Sequence, residues 1–396
     1  MTSAMRDHQI MAEELVRETQ ARGGLAPVDL ERFWDDQDQA AKAPFGADIP
    51  QAPIGGCMVS RECVFAELGI KEDWHRLLHD RPWAAQLSKT YNDKAEKIIG
   101  RRPLSEDPGD PTHVYPELAG LHGLFEARNV WRNESYWLMP SAHTVDELSA
   151  LLDRVEAKLP RLRDHLLLPN WDQEKQRLMA LGVKPPIYRG QRGPVTFATS
   201  IYGVENLIYL IVDNPDLARR FSRLILEAML GIARVMDEEA GYTPATSPHG
   251  FGFADDNCSL LTPDMYAMFG FPVLKGIFDL FAPNPDDVRY QHSDSAMGHL
   301  LPLLGRLGLT GVNFGPTLTV TEIRAHLPRA VIAGQLAPFT YSRNDEISIV
   351  KEFLRDVDMA REKRGLIFST AGSINNGTSL TSARLVMAAV QRYGRY

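Results

Sequence analysis

Two pairs of acid and base side chains follow apolar segments in the second half of the chain. Asp255 and Asp256 come directly after residues 250–254, and His292 and Asp294 end the next such segment. A histidine titrates near neutral pH and can transfer protons, and an aspartate two residues away on a strand points to the same side and can orient it. Adjacent strand residues point to opposite faces, so only one of Asp255 and Asp256 is expected to point into a site. These four residues are the predicted catalytic groups.

Neutral and basic polar residues near the ends of other segments are candidates for binding. Amide side chains suit recognition of an amide, a carboxylate or a heterocycle, and a polar, glycine-containing loop after the last segment could bind an anion through its backbone amides. Arginines could hold an anionic substrate, and a glutamate near aromatic residues could line an entrance. Barrel packing, an ordinary turn and solvated arginines are the competing interpretations. The candidates are Asn257, Asn313, Gln335, Ser373, Asn375, Arg189, Arg192 and Glu126.

The segments that carry these residues repeat a strand-then-helix pattern. Five apolar segments, each ending in polar residues, precede helical stretches at 250–256, 288–294, 311–315, 330–335 and 366–373. Such a pattern predicts parallel βα units, and in a closed barrel all the strand carboxyl ends open onto the face that carries the active site. We therefore predict an α/β fold, a (β/α)8 barrel over residues 119–396, with an N-terminal helical extension over residues 1–118.

Local signals refine this prediction. Residues 46–56 are rich in Pro and Gly, which is typical of a linker, and residues 119–140 alternate enough to predict a hairpin. Helix starts are predicted at Thr144, Thr262 and Thr319, each followed by early acidic residues. The tract before residue 193 that contains Arg189 and Arg192 is expected to precede a strand.

Composition narrows the class of protein. Apolar residues make up 44% and charged residues 24% of the 396 residues, which is typical of a globular protein. The net charge of −8 argues against a nucleic-acid partner, and no apolar run is long enough to span a membrane. Cys57, Cys63 and Cys258 form no CxxC pair, and no secretory signal is visible. We therefore expect a cytoplasmic protein that acts on a small molecule.

Several motifs resemble the uroporphyrinogen decarboxylase superfamily. Each is weakly specific alone, but their shared order over about residues 120–396 implies the same barrel fold. The superfamily includes the decarboxylase itself and methyltransferases that move methyl groups between corrinoid proteins and thiols, and its members are often dimers. The motifs are Asp255-Asp256 with the following residues 261–269, His292-Ser293-Asp294, Gly334-Gln335-Leu336-Ala337-Pro338, and the closing helix that ends at residues 389–396.

The chain also departs from these relatives. In the zinc-dependent methyltransferases a His-x-Cys and a later Cys hold the metal, whereas the matching positions here are His292, Asp294 and Ser373. Serine is a poor zinc ligand, so the resemblance argues against zinc; if a metal binds, His292 and Asp294 are the expected ligands. The decarboxylase grips its polyanionic substrate with an arginine-rich segment that is missing near residues 53–67, which disfavours haem-pathway decarboxylation.

The resemblance therefore implies an enzyme that transfers a methyl or other one-carbon group between a small molecule and a folate, thiol or corrinoid-type carrier. Tetrahydrofolate or cobalamin would be the cofactor, a corrinoid protein a partner, and a homodimer the expected assembly. Two alternatives stay open. One is a carboxy-lyase that holds a small carboxylate with Arg189 or Arg192, and the other is a barrel that binds a ligand without catalysis.

Overall fold

The computed structural model of the chain describes residues 3–55 and 58–396, so Cys57 lies outside the described residues. Helices dominate the first part of the chain, and strands alternate with helices in the second. The helices are α1 (Ser3–Ala21), α2 (Leu30–Ala40), α3 (Val64–Leu68), α4 (Trp74–His79), α5 (Arg81–Ile99), α6 (Gly120–Leu124), α7 (Val145–Lys158), α8 (Leu162–Leu166), α9 (Trp171–Ala180), α10 (Pro194–Tyr202), α11 (Val204–Asp213), α12 (Pro215–Glu239), α13 (Pro263–Phe269), α14 (Phe271–Phe281), α15 (Leu301–Leu304), α16 (Val320–His326), α17 (Pro338–Ser342), α18 (Glu346–Ala360) and α19 (Leu380–Tyr393). The strands are β1 (Arg128–Arg132), β2 (Ser135–Met139), β3 (Gly190–Arg192), β4 (Phe251–Ala254), β5 (Arg289–Ser293), β6 (Gly311–Phe314), β7 (Val331–Leu336) and β8 (Leu366–Thr370).

Six strands form one sheet in the order β3-β4-β5-β6-β7-β8. The pairs β3–β4, β4–β5, β6–β7 and β7–β8 are parallel, with Ala254 opposite His292 and Gln335 opposite Ser369. Strands that are adjacent both in the chain and in the sheet, with helices between them, are the arrangement expected of βα units. The predicted α/β fold with parallel strands is confirmed. All five predicted segments contain strands, although the sheet of the described residues has six strands rather than eight.

The chain divides into two compact units. The first contains residues 1–108, 293–298 and 311–396, and the second contains residues 109–292 and 299–310. This division differs from the predicted boundary at residue 118. In the first unit, α1 packs on α18 and α5 packs on α19, so the N-terminal helices share a core with the last strands.

The predicted linker at residues 46–56 also carries backbone pairing. Ile54 forms an isolated parallel bridge with Phe368 of β8. The amide of Gly55 donates to the Phe368 carbonyl at 2.8 Å, and the amide of Phe368 donates to the Pro53 carbonyl at 2.8 Å. The segment therefore adds a short stretch of chain beside β8, within the first unit.

Sequence signals for helix starts are confirmed at the three predicted positions. The hydroxyls of Thr144 and Thr262 accept from backbone amides in the first turns of α7 and α13. Thr319 and Glu322 form the reciprocal capping box of α16. The predicted hairpin is present as the antiparallel pair β1–β2. Among residues 3–55 and 58–396, no single helix is long and apolar enough to cross a membrane; only the bent pair α10 and α11, taken together, meets that test.

Arginines hold the segments that precede the strands. In the second unit, Arg289 donates to the carbonyls of Ala282 and Leu307. In the first unit, the Arg324 guanidinium is buried and donates to carbonyls that precede β7 and β8. Burial lowers the pKa of Arg324 to about 10. The five acceptors are the carbonyls of Leu327, Pro328, Ala330, Arg364 and Gly365.

Candidate functional site

The two aspartates that follow β4 have different surroundings. Asp255 is fully buried, and its Oδ1 accepts from the Thr196 amide at 2.8 Å in the first turn of α10. The Asp255 amide donates to the His292 carbonyl at 3.0 Å, which anchors the end of β4 to β5. A carboxylate at a helix N-terminus is favoured by the exposed amides and the helix dipole. Asp255 therefore connects the end of β4 to α10 and β5, whereas Asp256 is half-buried.

Burial nevertheless raises the pKa of Asp255 to about 6, because the hydrogen bonds from Thr196 and Val195 offset only part of the cost of desolvating the carboxylate. Its Oδ2 has no hydrogen-bond partner among the described residues. A Cβ at Gly193 would overlap the Asp255 side chain, so glycine is required where α10 begins. The approach of α10 to the end of β4 depends on that glycine.

Asp256 and His292 lie close together at the carboxyl ends of β4 and β5. With Asp294, which follows His292 by two residues, they form a group whose ligand atoms all lie within 4.8 Å of one another. Asp256 and His292 are half-buried and Asp294 is exposed. An imidazole beside two carboxylates can move a proton at one nitrogen while the carboxylates orient the ring. The structure thus brings together three of the four predicted catalytic groups, while the fourth, Asp255, is fully buried against the first turn of α10.

The same three residues could hold a divalent cation. One imidazole nitrogen and two carboxylates are ordinary ligands of zinc, and harder divalent cations also accept such a set. The sequence-based ligand pair was His292 and Asp294, and the structure adds Asp256 as a third donor. Ser373, at the position of the relatives' last cysteine, is exposed.

Asn257 is held against the side of α10. Its amide donates to the Thr196 hydroxyl at 2.9 Å, and its Nδ2 donates to the Thr199 hydroxyl at 2.7 Å. The Asn257 side chain is thus held through its amide nitrogen, and Asn257 stays a candidate for binding. Thr196 contacts both Asp255 and Asn257 and was not among the predicted residues, although it lies in the first turn after a glycine-proline pair.

Polar residues that the sequence analysis did not select lie in the second unit's core. Tyr266 of α13 and Gln291 of β5 are fully buried. The Tyr266 hydroxyl and the Gln291 amide make no hydrogen bond of good geometry with the residues that the structure describes, but Gln291 lies close enough to Tyr266 to lower its pKa slightly. Asp255 and Tyr266 interact electrostatically, and burial raises the pKa of Tyr266 well above its usual value. Gln291 precedes His292 in the chain, and this adjacency is the sequence feature that could have pointed to it as a candidate.

Two candidate binding residues of the first unit serve the backbone instead. The Asn313 amide nitrogen donates to the carbonyls of Ala333 and Thr370. The Gln335 amide nitrogen donates to the carbonyls of Gly315 and Leu318 at 3.1 and 2.9 Å. These two amide nitrogens therefore serve neighbouring strands and turns, and ligand recognition by Asn313 and Gln335 stays a prediction. The Gln335 Oε1 is buried and lacks a partner within the described part of the chain.

The polar loop after β8 is shaped around Asp294. A Cβ at Gly372, whose φ is +100°, would overlap the Asp294 carboxylate. The Asn375 carbonyl accepts from the Thr378 hydroxyl at 3.0 Å, as in a local turn, and the Asn375 side chain is half-buried. Ser373 is exposed, so it and Asn375 stay candidates for binding.

Two predicted binding residues are tied up in ion pairs. Arg189 precedes β3 and lies at the amino end of the strand, where its guanidinium donates to the Asp237 carboxylate at 2.6 and 2.8 Å. The hydrogen bonds of Glu126 to Arg154, and then those to Lys158, lower its pKa to about 2 against the effect of burial. Arg189 and Glu126 therefore form ion pairs within the chain, and a binding role for either stays a prediction.

Arg192 differs from Arg189. The tract that was expected to precede a strand contains β3 itself, so Arg192 is its last residue and lies at the carboxyl end. The Arg192 side chain is exposed, and its one hydrogen bond among the described residues is to the Ser200 hydroxyl at 3.3 Å. It is the predicted cation whose charge is still available to an anionic ligand.

Comparisons with known proteins agree with this architecture. The uroporphyrinogen decarboxylase (URO-D) family model matches residues 177–393, more than half of the chain. No curated protein is significantly similar to the chain in sequence. The solved structure of a methyltransferase from Methanosarcina mazei superimposes with a TM-score of 0.54 at 17% identity, covering 89% of this chain and 96% of that chain. The likeness to that structure supports the fold, and the family match shows that this chain belongs to the uroporphyrinogen decarboxylase family.

Proposed function

We propose that the chain is a methyltransferase that moves a one-carbon group between a small molecule and a folate, thiol or corrinoid-type carrier. The observation that supports this is the compact group of Asp256, His292 and Asp294 beyond β4 and β5. It lies where the methyltransferases of this family, by resemblance, bind and activate the acceptor. Membership in the family supports an enzyme of the methyltransferase or decarboxylase type.

The proposed reaction transfers a methyl group from a donor to an acceptor that carries an ionisable hydrogen. His292 takes the proton from the acceptor, whose freed electron pair forms the new bond to the methyl carbon. The bond between the methyl group and the donor breaks, and its electron pair stays on the donor. A folate donor then receives the proton from His292 at the nitrogen that carried the methyl group, whereas with a corrinoid donor His292 would release the proton to solvent. Asp256 and Asp294 orient the imidazole and stabilise its charged form between the two proton transfers.

A divalent cation held by Asp256, His292 and Asp294 would lower the pKa of an acceptor thiol or hydroxyl. In that case His292 would be a ligand, and proton transfer would fall to other groups. Metal content therefore decides between two versions of the same function. Tetrahydrofolate and cobalamin are the carriers to supply first, with a corrinoid protein as a partner for the second.

A carboxy-lyase is the second candidate, and Arg192 is the observation that favours it. Its exposed guanidinium at the carboxyl end of β3 could hold a substrate carboxylate. The carbon–carbon bond to a second carboxylate would break, carbon dioxide would leave, and His292 would protonate the remaining carbanion. One arginine gives less positive charge than a polyanionic porphyrinogen needs, so this candidate applies to a small carboxylate.

The deciding experiment measures methyl transfer and carbon dioxide release with the same purified chain, before and after metal analysis. Methylcobalamin and methyltetrahydrofolate serve as donors, with thiols as acceptors, and small dicarboxylates and uroporphyrinogen serve as lyase substrates. We expect methyl transfer that Asp256→Asn abolishes and that Asp264→Asn, on the exposed first turn of α13, leaves unchanged. Carbon dioxide release without methyl transfer would favour the lyase. Ligand binding with neither activity would show a binding protein and contradict the proposal.

A further inference from the structure

An exposed aromatic ring lies just beyond the carboxyl end of β7. Phe339 is the second residue of α17 and is 66% exposed, more than any other large apolar residue that the structure describes. A single exposed ring is ordinary on a protein surface, so its surroundings decide whether it has a ligand. This ring stands at the strand ends that carry the active site in barrels built from βα units.

A cation lies beside this ring. Arg343 directly follows α17, four positions after Phe339, a spacing that places both residues on one face of a helix. The guanidinium carbon is 5.7 Å from the centre of the Phe339 ring. Arg343 is exposed and forms no ion pair within the described part of the chain, and the neighbouring Asp345 carboxylate accepts from the Ser348 amide as the N-cap of α18. We call these two side chains, Phe339 and Arg343, the platform.

The platform stands on a fixed segment of the first unit. The Tyr341 side chain is buried, and its hydroxyl donates to the Met58 carbonyl at 2.8 Å. The Thr340 hydroxyl donates to Glu352 of α18 at 2.8 Å. A binding surface that is ordered before its ligand arrives loses little conformational entropy on binding. Only the rotamers of the two platform side chains themselves are left to be ordered by a ligand.

Further contacts connect α17 to the loop after β8 and, through that loop, to Asp294. The Asn344 amide nitrogen donates to the Gly377 carbonyl at 2.9 Å, and the Asn344 side-chain oxygen accepts from the Ser379 amide at 3.1 Å. Gly372 of the same loop is so close to Asp294 that a Cβ there would overlap its carboxylate. All of these residues belong to the first unit. The platform is therefore fixed at the same strand ends as Asp294, one of the candidate acids.

We propose that the platform binds the one-carbon carrier, and that this carrier is a conjugated ring with a carboxylate tail, as in a folate. The inference rests on the proposed methyl transfer, which requires a carrier, and it narrows the carrier to one chemical class. The ring stacks on Phe339, and the tail carboxylate pairs with Arg343. A small thiol has no ring to stack, so it would gain little from the platform.

Isothermal titration calorimetry of the full chain tests the proposal with two probes. Tetrahydrofolate has both ring and tail, and methyltetrahydropterin has the ring without a carboxylate. Phe339→Ser is expected to raise the Kd about tenfold for both probes, because it removes the stacked ring. Arg343→Met is expected to raise the Kd about fivefold for tetrahydrofolate alone, because only the tail contacts the guanidinium.

Matched variants control for the loss of a ring or a charge elsewhere. Tyr209→Ser removes an equally exposed ring in the second unit, and Arg17→Met removes an exposed arginine of α1. Both are expected to bind the two probes like the wild type. Thermal melts of all four variants should match the wild type, since every substituted side chain is exposed.

Methyl transfer from methylcobalamin to a thiol, measured on the same proteins, separates this inference from the proposed function. A wild type that does not bind tetrahydrofolate, or platform variants that bind it unchanged, would overturn the inference, while methyl transfer from methylcobalamin would still support the function. Conversely, tetrahydrofolate binding that depends on Phe339 and Arg343 in a chain without methyl transfer from any donor would support the binding site and contradict the function.

Discussion

The two ends of the parallel strands use polar residues in opposite ways. At the amino ends, the guanidinium groups of Arg189 and Arg324 bond to several acceptors each, although Arg324 Nε is buried without a partner among the described residues. At the carboxyl ends, buried polar atoms such as Asp255 Oδ2 and Gln335 Oε1 lack partners among the described residues. Satisfied groups contribute stability, whereas unsatisfied buried groups cost it and are tolerated where a ligand or a reaction needs them. We therefore expect substitutions at the amino ends to affect mainly stability and substitutions at the carboxyl ends to affect mainly activity.

The largest expected effect is the loss of activity in His292→Ala. If the carboxyl ends carry the chemistry, removing the imidazole lowers kcat about 10²–10⁴-fold without lowering the melting temperature. His326→Ala, at the exposed end of α16, is the matched control and keeps full activity. Steady-state kinetics and thermal melts on both variants make the comparison. Full activity in His292→Ala would contradict a catalytic role for the carboxyl ends of the strands.

Arg189→Met tests the amino end. It leaves the Asp237 carboxylate buried without its cation, so the free energy of unfolding is expected to fall by about 3–5 kcal/mol while kcat per folded molecule stays unchanged. Urea denaturation measures the first quantity. Arg192→Met, three residues away at the other end of β3, is the matched variant. It should cost under about 1 kcal/mol but weaken binding of an anionic substrate about tenfold. If Arg189→Met weakened substrate binding and Arg192→Met lowered stability, the proposed difference between the amino and carboxyl ends of the strands would be wrong.

Asp356→Asn tests whether a buried carboxyl beside β7 makes the stability of the protein depend on pH. Asp356 of α18 lies beside Arg355, which donates to the Gln335 carbonyl in β7. Burial raises the pKa of Asp356 to about 6, although Arg355 lowers it in part. Between about pH 4 and pH 6 the folded chain keeps a proton that the unfolded chain has lost, so stability falls as pH rises through that window.

We expect the wild type to lose about 2–3 kcal/mol across this window relative to Asp356→Asn, which has no proton to lose. Above about pH 6 the Asp356 carboxyl is ionised in both the folded and the unfolded chain. The difference in unfolding free energy between the wild type and Asp356→Asn then no longer changes with pH. Urea denaturation of both proteins at several pH values measures it. A difference that does not vary with pH would show that the folded-state pKa of Asp356 is not raised.

The smallest expected effect is that of Glu126→Gln. Glu126 pairs with Arg154 and Lys158 at the surface, outside the strand ends, and its side chain is one-third exposed. We expect a loss of under about 1 kcal/mol in stability and unchanged kinetics. A large change in KM would instead show that Glu126 belongs to the site, in line with its predicted place at the entrance.

The sequence predicted the strands well because each apolar segment ends in polar residues and precedes a helix start. It left the aspartate pair unresolved, since alternation says that one of Asp255 and Asp256 points inward but not which one. It also misplaced Arg192, which was expected to precede a strand but ends β3, because β3 has only three residues and gives no periodic signal that separates its two ends. The pairing of Ile54 with β8 and the packing of α1 on α18 depend on contacts between distant parts of the chain, which local patterns do not encode.

The arrangement of Arg324 has a consequence for how the protein responds to salt. This guanidinium is held by carbonyl dipoles, and it forms no ion pair with a residue that the structure describes. Dissolved ions screen attractions between exposed charges but have little effect on a buried hydrogen-bonded cation. The hydrogen bonds of Arg324 to the segments before β7 and β8 should therefore contribute as much to stability at ionic strengths that weaken the surface ion pairs. A lysine could not replace it, because one ammonium group has three donors for five carbonyls.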